Sequence, residues 1–342
     1  MFGSIPRSEI INLCSAGDGV LAVYDKKQDI TRRFLVSSKA LGAASSALYG
    51  FLNPVSKEDP VKPLQAKRPE RLVKEDADAM SIILHIIHLR NGHVSANIEP
   101  KQLATIAILS KKYNCNRALR LWITKWCSQY RECASSEEVG YQLLAAFLFE
   151  RENFPDLVAR AAMLVEPRLV VDWPEHDLLG LLPKVLLDNL VFKIDGALAD
   201  IKQALEDAEG RLRACRTTST CFFLRCSSCG RSSLDRGRSC GSCVGLESMP
   251  TFCDAEGRVS EFFRALAGNG VWPSFVAFNH VTVWQLLSKF EAAKDRNLHL
   301  CEMRERCPLK VELARLFEQA CNVQEYTKRD LVKHWKHRND LW

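Results

Sequence analysis

The sequence predicts an α+β first domain, followed by a mainly α-helical region and a cysteine-rich C-terminal module. Two short apolar runs near the N-terminus are typical of strands, the segments after them have helical spacing, and closely paired cysteines occur in the C-terminal third. At 342 residues the chain is long enough for two or three domains. Its 47% hydrophobic and 26% charged residues are ordinary for a globular protein and argue against wholesale disorder.

The first predicted elements are a strand hairpin and a helix. An apolar run over 20–24 follows a glycine-containing turn, a polar turn covers 25–29, and a second strand covers 30–36. Ser37 then caps an amphipathic helix, because apolar residues recur after it at steps of three and four. The apolar face of this helix consists of Leu41, Ala44, Leu48 and Phe51.

Helices dominate the sequence beyond this point. Residues 53–71 contain four prolines and many charges, which predicts an exposed loop. Helical spacing of apolar residues then follows Asp76, Pro100 and Asn116. Strands that come first and helices that come afterwards indicate the α+β class.

The charge distribution suggests domain boundaries. The net charge is +8 over 1–134, −6 over 135–205 and +4 over 206–342, and each sign reversal is a candidate boundary. The total of +6 is too weak to imply nucleic acid by itself. We expect a tail over 1–14 and a folded domain over 15–134. A helical region over 135–183, a heptad helix over 184–214 and a C-terminal module over 215–342 follow.

The clearest periodicity in the chain is a heptad seam. Its apolar positions are Leu187, Val191, Ile194, Leu198, Ile201, Leu205, Ala208 and Leu212. Alternating steps of four and three are typical of a coiled coil, within one chain or between two chains. We favour an antiparallel helix pair within the chain, because long helices of globular proteins usually bury their apolar face internally.

The strongest candidate for chemistry is a pair of C-x-x-C knuckles. Cys226 and Cys229 are followed after ten residues by Cys240 and Cys243. Two such knuckles can supply the four thiolates of a tetrahedral structural zinc site. The alternative is that the two cysteine pairs occur by chance in a stretch rich in serine, glycine and arginine and bind no metal.

A second group of cysteines complicates the choice of ligands. Cys301 and Cys307, together with His299, could supply another half-site. Five residues separate these two cysteines, which is wider than a usual knuckle. Cys221 and Cys253 are further candidates, and the alternative for all of them is ordinary buried cysteine.

Several ordered blocks resemble the fungal BTB/POZ domain over roughly 15–130. The blocks are Asp18, FLVSSKAL at 34–41, DADAM at 76–80, ILHIIH at 83–88, SKKYNC at 110–115 and ALRLW at 118–122. A looser match to the C-terminal region of such fungal proteins covers GVWP at 270–273 and Cys301 to Cys307. The sequence departs from many animal BTB domains in having Ser37 where they have histidine, so the dimer face could differ.

The resemblance implies an interaction protein. The first domain would make protein contacts, either as a homodimer or as an adaptor for a cullin-type ubiquitin-ligase scaffold. We expect the contact surface on the opening strands and the helix after them, at Val20, Val23, Phe34, Leu41, Leu48 and Phe51.

The alternative function is zinc-dependent nucleic-acid binding. Arginines flank the knuckles at Arg225, Arg231, Arg236 and Arg238, and a basic knuckle can contact phosphates. A solvated charged loop is the simpler interpretation, because no aromatic residue between the knuckles offers a base-stacking platform.

The remaining patterns exclude several classes of protein. The short motifs of nucleotide-binding proteins, zinc proteases and serine hydrolases are absent from the sequence, so we expect no enzyme and assign no catalytic residue. The N-terminus lacks the apolar core of a signal peptide, and no window reaches the roughly 18 apolar residues of a membrane span. We therefore expect an intracellular protein of the nucleus or cytoplasm, with reduced thiols and no membrane partner.

Overall fold

The chain folds into two compact units of the α+β class. The computed structural model describes residues 10–52, 70–128, 135–226, 246–272, 278, 280–295 and 299–336. Unit 1 comprises residues 1–154 and 175–182, and unit 2 comprises residues 155–174 and 183–342. Most of the described structure is helical, with a small sheet near the N-terminus.

Unit 1 combines a sheet with a set of helices. Its strands and helices are, in chain order, β1 (Ile10–Asn12), β2 (Gly19–Asp25), β3 (Ile30–Val36), α1 (Ser38–Ala44), α2 (Ser46–Leu52), β4 (Glu70–Lys74), α3 (Ala77–Ile87), α4 (Pro100–Lys112), α5 (Asn116–Ser128) and α6 (Ser136–Leu148). Helix α6 packs on α4 within this unit, which places the division between units near residue 154. The charge reversal at residue 134 therefore does not coincide with a unit boundary.

The sheet of unit 1 has the strand order β1-β3-β2-β4. Strands β2 and β3 form an antiparallel hairpin in register from Gly19 opposite Val36 to Asp25 opposite Ile30, which confirms the predicted hairpin. Strands β1 and β4 add in parallel to β3 and β2, respectively. The sequence did not predict β1 or β4. Both are short strands that form by pairing with distant neighbours, and their own residues show little of the alternation that is typical of a strand.

The predicted helix after Ser37 is divided into two helices. The Ser37 side chain accepts a hydrogen bond from the amide of Ala40, as expected for a cap. Ser45 then interrupts the helix with an extended backbone, and its buried hydroxyl oxygen accepts a hydrogen bond from the amide of Leu48, which opens α2. The same hydroxyl donates to the carbonyl of Tyr113. These bonds compensate for the helical hydrogen bonds that the break removes.

The residues assigned to an interaction surface lie in the core of unit 1. Five of them are at most 8% exposed, namely Val20, Val23, Phe34, Leu41 and Leu48. Strand β2 lies between two other strands and its residues are buried on both faces, so strand alternation does not separate a core face from a contact face. This burial corrects the expectation that these side chains form an exposed contact surface. The side chain of Phe51 lies outside the described residues.

Unit 2 contains a long helix, a second sheet and a helical C-terminal part. Its elements are α7 (Phe154–Leu164), α8 (Pro167–Asp172), α9 (Lys184–Ala214), β5 (Ser219–Cys226), β6 (Leu246–Cys253), α10 (Ala255–Gly268), α11 (Val283–Asp295), β7 (Leu300–Cys301) and α12 (Pro308–Lys336). The sheet has the order β6-β5-β7, with both outer strands antiparallel to β5. No described helix is both long enough and apolar enough to cross a membrane.

Helix α9 runs over the range in which the sequence places the heptad helix. Its 31 residues bury an apolar face against α8, α10, α11 and α12 of the same unit. Ile194, Ile201, Leu205 and Leu212 are at most 4% exposed in this core. The heptad seam is therefore buried within the chain, as we favoured from the sequence, but it packs against four helices and not in a single helix pair.

Candidate metal centre

Four side chains from separate parts of unit 2 meet in its interior. They are Cys253 at the end of β6, His299 and Cys301 at β7, and Cys307 immediately before α12. Their ligand atoms all lie within 4.8 Å of one another, and all four residues are buried. We call this group the Cys/His cluster.

Strand register brings two of these residues to one end of the sheet. On one side of β5, Cys253 is opposite Ser219, and on the other side Cys301 is opposite Cys221. The two cysteines thus pair with positions only two residues apart on the same central strand. Because neighbouring strands are about 4.8 Å apart, residues on the two outer strands can approach a common point beside the end of β5.

A tight turn adds the third cysteine. The segment between Cys301 and Cys307 contains a 3₁₀ turn at Arg304–Arg306, and Arg304 has a left-handed backbone with φ of 49°. The amide of Cys307 donates to the carbonyl of Arg304 over 3.2 Å, which closes the turn. The five intervening residues are therefore folded back, and their number does not prevent the two cysteines from sharing a site.

The start of helix α12 stabilises a thiolate at Cys307. Burial raises the pKa of this thiol, but hydrogen bonds from His299 and from the amides of Leu309 and Lys310 outweigh burial and lower the pKa to about 7. The first amides of a helix carry a partial positive charge and favour an anion. Burial is the largest cause of a raised pKa at the neighbouring Cys253 thiol, and the charge of Cys307 raises this pKa further.

A carboxylate orients the histidine of the cluster. His299 Nδ1 donates to Glu261 Oε2 over 2.8 Å, so Nε2 is the nitrogen available for a metal. Burial lowers the pKa of His299, yet the hydrogen bonds to Cys307 and Glu261 outweigh it and raise the pKa to about 10. A metal-binding histidine commonly donates its other ring N–H to a carboxylate, which fixes the tautomer and the ring orientation.

The geometry of the cluster fits a metal ion. The sulfur atoms of Cys253 and Cys307 are 3.8 Å apart. Two thiolates at about 2.3 Å from one tetrahedral zinc ion would be separated by about 3.8 Å. Three thiolates and one imidazole are also a common donor set for structural zinc. The Cys/His cluster could therefore hold a metal ion, and its donors are compatible with one zinc.

The structure brings together the second group of candidate ligands, which we considered weaker than the C-x-x-C cysteines. Cys301, Cys307 and His299 meet, and Cys253 is the fourth member, which the sequence singled out but did not assign. No local spacing could have identified Cys253, because 45 residues separate it from His299, the next ligand in the chain.

Cys226, the first cysteine of the C-x-x-C knuckles, lies at the other end of the same hairpin. Cys226 is opposite Leu246 at the end of β5, seven residues from the position opposite Cys253 and so about 23 Å away. One ion cannot bind at both places. The side chain of Cys226 and the residues Cys229, Cys240 and Cys243 lie outside the described part of the chain, as do the side chain of Arg225 and the residues Arg231, Arg236 and Arg238.

Comparison with known proteins assigns neither unit to a family. The geometry of the Cys/His cluster and the chemistry of its donors are therefore the basis for interpreting unit 2, and the residue blocks quoted above are the basis for interpreting unit 1. No family model matches the chain, and no curated protein and no solved structure matches it either.

Proposed function

We propose that this chain is a protein–protein interaction protein whose second unit is held together by one structural zinc ion. The zinc ligands are Cys253, His299, Cys301 and Cys307. The first unit is BTB/POZ-like and contacts protein partners, among them a second copy of the chain or a cullin-type scaffold. The observation that carries the zinc part of the proposal is the buried set of four donors, which can fill a tetrahedral site without water or substrate.

A complete donor set supports a structural role for the metal. Catalytic zinc sites keep one coordination position open, whereas structural sites use four protein ligands. The ligands here come from β6, β7 and the start of α12, so one ion would join three elements that are separate in sequence. Zinc binding to such a site contributes directly to folding free energy, by about 10–16 kcal/mol in zinc-finger peptides.

The interaction role of unit 1 rests on its sequence resemblance. Strands β1 to β3 of this unit precede its helices, whereas β4 follows α2, so the unit is of the α+β class. Its predicted contact residues are buried, so partners must use other side chains. Large apolar side chains that are exposed on this unit include Leu89 and Leu121, which are 81% and 85% exposed.

Elemental analysis tests the metal part of this proposal. We expect Cys301→Ser to lose one zinc ion per chain relative to the wild type, together with a lower melting temperature. Cys14→Ser is the matched control, because Cys14 belongs to unit 1 and is not a member of the Cys/His cluster. Equal zinc content in the wild type and Cys301→Ser would contradict the ligand assignment.

Light scattering on the full chain tests self-association. We expect a mass between monomer and dimer that rises with concentration at tens of micromolar. A strict monomer over this range would contradict the homodimer, and the adaptor role would then rest on reciprocal pull-downs with an identified partner.

A further inference from the structure

A buried arginine lies beside the Cys/His cluster. Arg258 in α10 is 0% exposed, and its guanidinium donates to three backbone carbonyls. Nη1 bonds to Thr217 at 2.8 Å and to Cys253 at 3.1 Å, and Nη2 bonds to Cys215 at 2.6 Å. Nε is buried, with no hydrogen-bond partner among the described residues.

The carbonyls do not neutralise this charge. An arginine side chain stays protonated in proteins, and a buried charge is costly unless an opposite charge compensates for it. Among the residues that the structure describes, no carboxylate makes a salt bridge with Arg258. Glu261, one turn further along the same helix, is bonded instead to His299.

The Cys/His cluster lies next to this buried positive charge. Arg258 Nη1 lies 3.9 Å from the sulfur of Cys253. A zinc ion with three thiolates and one neutral imidazole has a net charge of −1, and this charge would be as costly to bury as that of the arginine. With zinc bound, the two opposite charges would lie side by side in the same core.

We propose that Arg258 is a positioning residue that supplies the counter-charge of the metal centre. Its positive charge would offset the net charge of −1 of a zinc ion bound by the three thiolates and the imidazole. The three carbonyl bonds hold the guanidinium against this sulfur. This inference rests on the metal site proposed above.

The competing explanation is that Arg258 acts solely as a clamp. Its guanidinium joins the end of α9, at Cys215, to the end of β6, at Cys253, and this alone could account for its burial. Substitutions of Arg258 can separate the effect of its positive charge from the effect of its hydrogen bonds. Arg258→Lys keeps the positive charge but loses the planar fork of donors, and Arg258→Met loses both.

Cobalt(II) binding to the full chain is the test. Cobalt replaces zinc in thiolate sites, and its thiolate charge-transfer absorption rises with the number of cobalt–sulfur bonds. We expect Arg258→Met to bind cobalt about 10- to 100-fold more weakly than the wild type, with reduced charge-transfer absorption. We expect Arg258→Lys to recover most of the affinity and the full absorption.

A matched variant controls for general destabilisation. Arg211 is another arginine of unit 2, but its guanidinium bonds to the carboxylate of Glu312 at 2.9 Å. Arg211→Met should lower the melting temperature and leave the cobalt spectrum unchanged. A spectrum altered as much as in Arg258→Met would show that loss of stability alone explains the effect and would overturn the inference.

The outcomes separate the two proposals. A wild-type chain that binds no cobalt would contradict the metal site itself. If the wild type binds cobalt and Arg258→Lys is no better than Arg258→Met, the counter-charge role is overturned and the clamp remains. If Arg258→Met does not fold, Arg258→Lys decides alone: wild-type-like binding supports the counter-charge, and failure to fold or bind contradicts it.

Discussion

The hydrogen bond behind His299 provides a quantitative test of the metal centre. Glu261→Gln removes the negative charge and keeps an oxygen that can accept from Nδ1. In the structure this bond is 2.8 Å long, and the side chains of His299 and Glu261 are 4% and 16% exposed, so solvent screens it little. The substitution therefore changes the strength of one buried interaction and leaves the four ligands in place.

The expected magnitude follows from this geometry. A hydrogen bond to a charged group contributes about 1.5–3 kcal/mol, against about 1 kcal/mol for a neutral pair. The loss of about 1–2 kcal/mol corresponds to about 5- to 30-fold weaker zinc binding, since 1.36 kcal/mol is a factor of ten. Zinc affinity would be measured by competition with a chromophoric chelator at constant pH.

The control for this experiment lies on the same helix. Glu256 is an exposed residue in the first turn of α10, and Glu256→Gln removes one charge without touching the cluster. We expect its zinc affinity to stay within about twofold of the wild type. An affinity for Glu261→Gln within the same range, or an equal loss in Glu256→Gln, would refute the role assigned to Glu261.

Three further predictions concern stability. Gly196 is exposed inside α9 with open space around its Cα, so Gly196→Ala should raise the free energy of unfolding in urea by about 1 kcal/mol, and a decrease would contradict an open site. Leu89 is 81% exposed just after α3 and has a left-handed backbone with φ of 58°. Because glycine adopts this conformation at lower cost, Leu89→Gly should raise the free energy of unfolding by about 0.5–1 kcal/mol. A lower free energy of unfolding would mean that the leucine side chain makes a stabilising contact. His88 accepts at Nε2 from the amide of Ser37 over 3.0 Å, and burial keeps its pKa below the ordinary 6.5. The unfolded chain therefore binds a proton at His88 more readily than the folded chain, so the free energy of unfolding falls as the pH drops below 6.5. His88→Gln should make this fall with pH shallower. Parallel curves of unfolding free energy against pH for the two proteins would refute the role of His88.

Local patterns in the sequence determined several elements of the fold. The helix from Lys184 to Ala214 follows from its apolar spacing, because the helical period places those residues on one face whatever surrounds it. The hairpin of β2 and β3 follows from two apolar runs joined by a short polar turn. In both cases the residues that define the element are neighbours in the chain.

The tertiary structure decided which side chains are buried and which cysteines meet. Val23 and Phe34 have the spacing of strand residues in any environment, and only the strands and helices around them make them core. Cys253 and Cys301 are 48 positions apart, and their meeting depends on the register of β6 and β7 on a common strand. The sequence by itself determined the α9 helix, the β2–β3 hairpin and the types of ligand, because these depend on near neighbours. The grouping of the ligands depended on long-range strand pairing, which leaves no periodic signal in the chain.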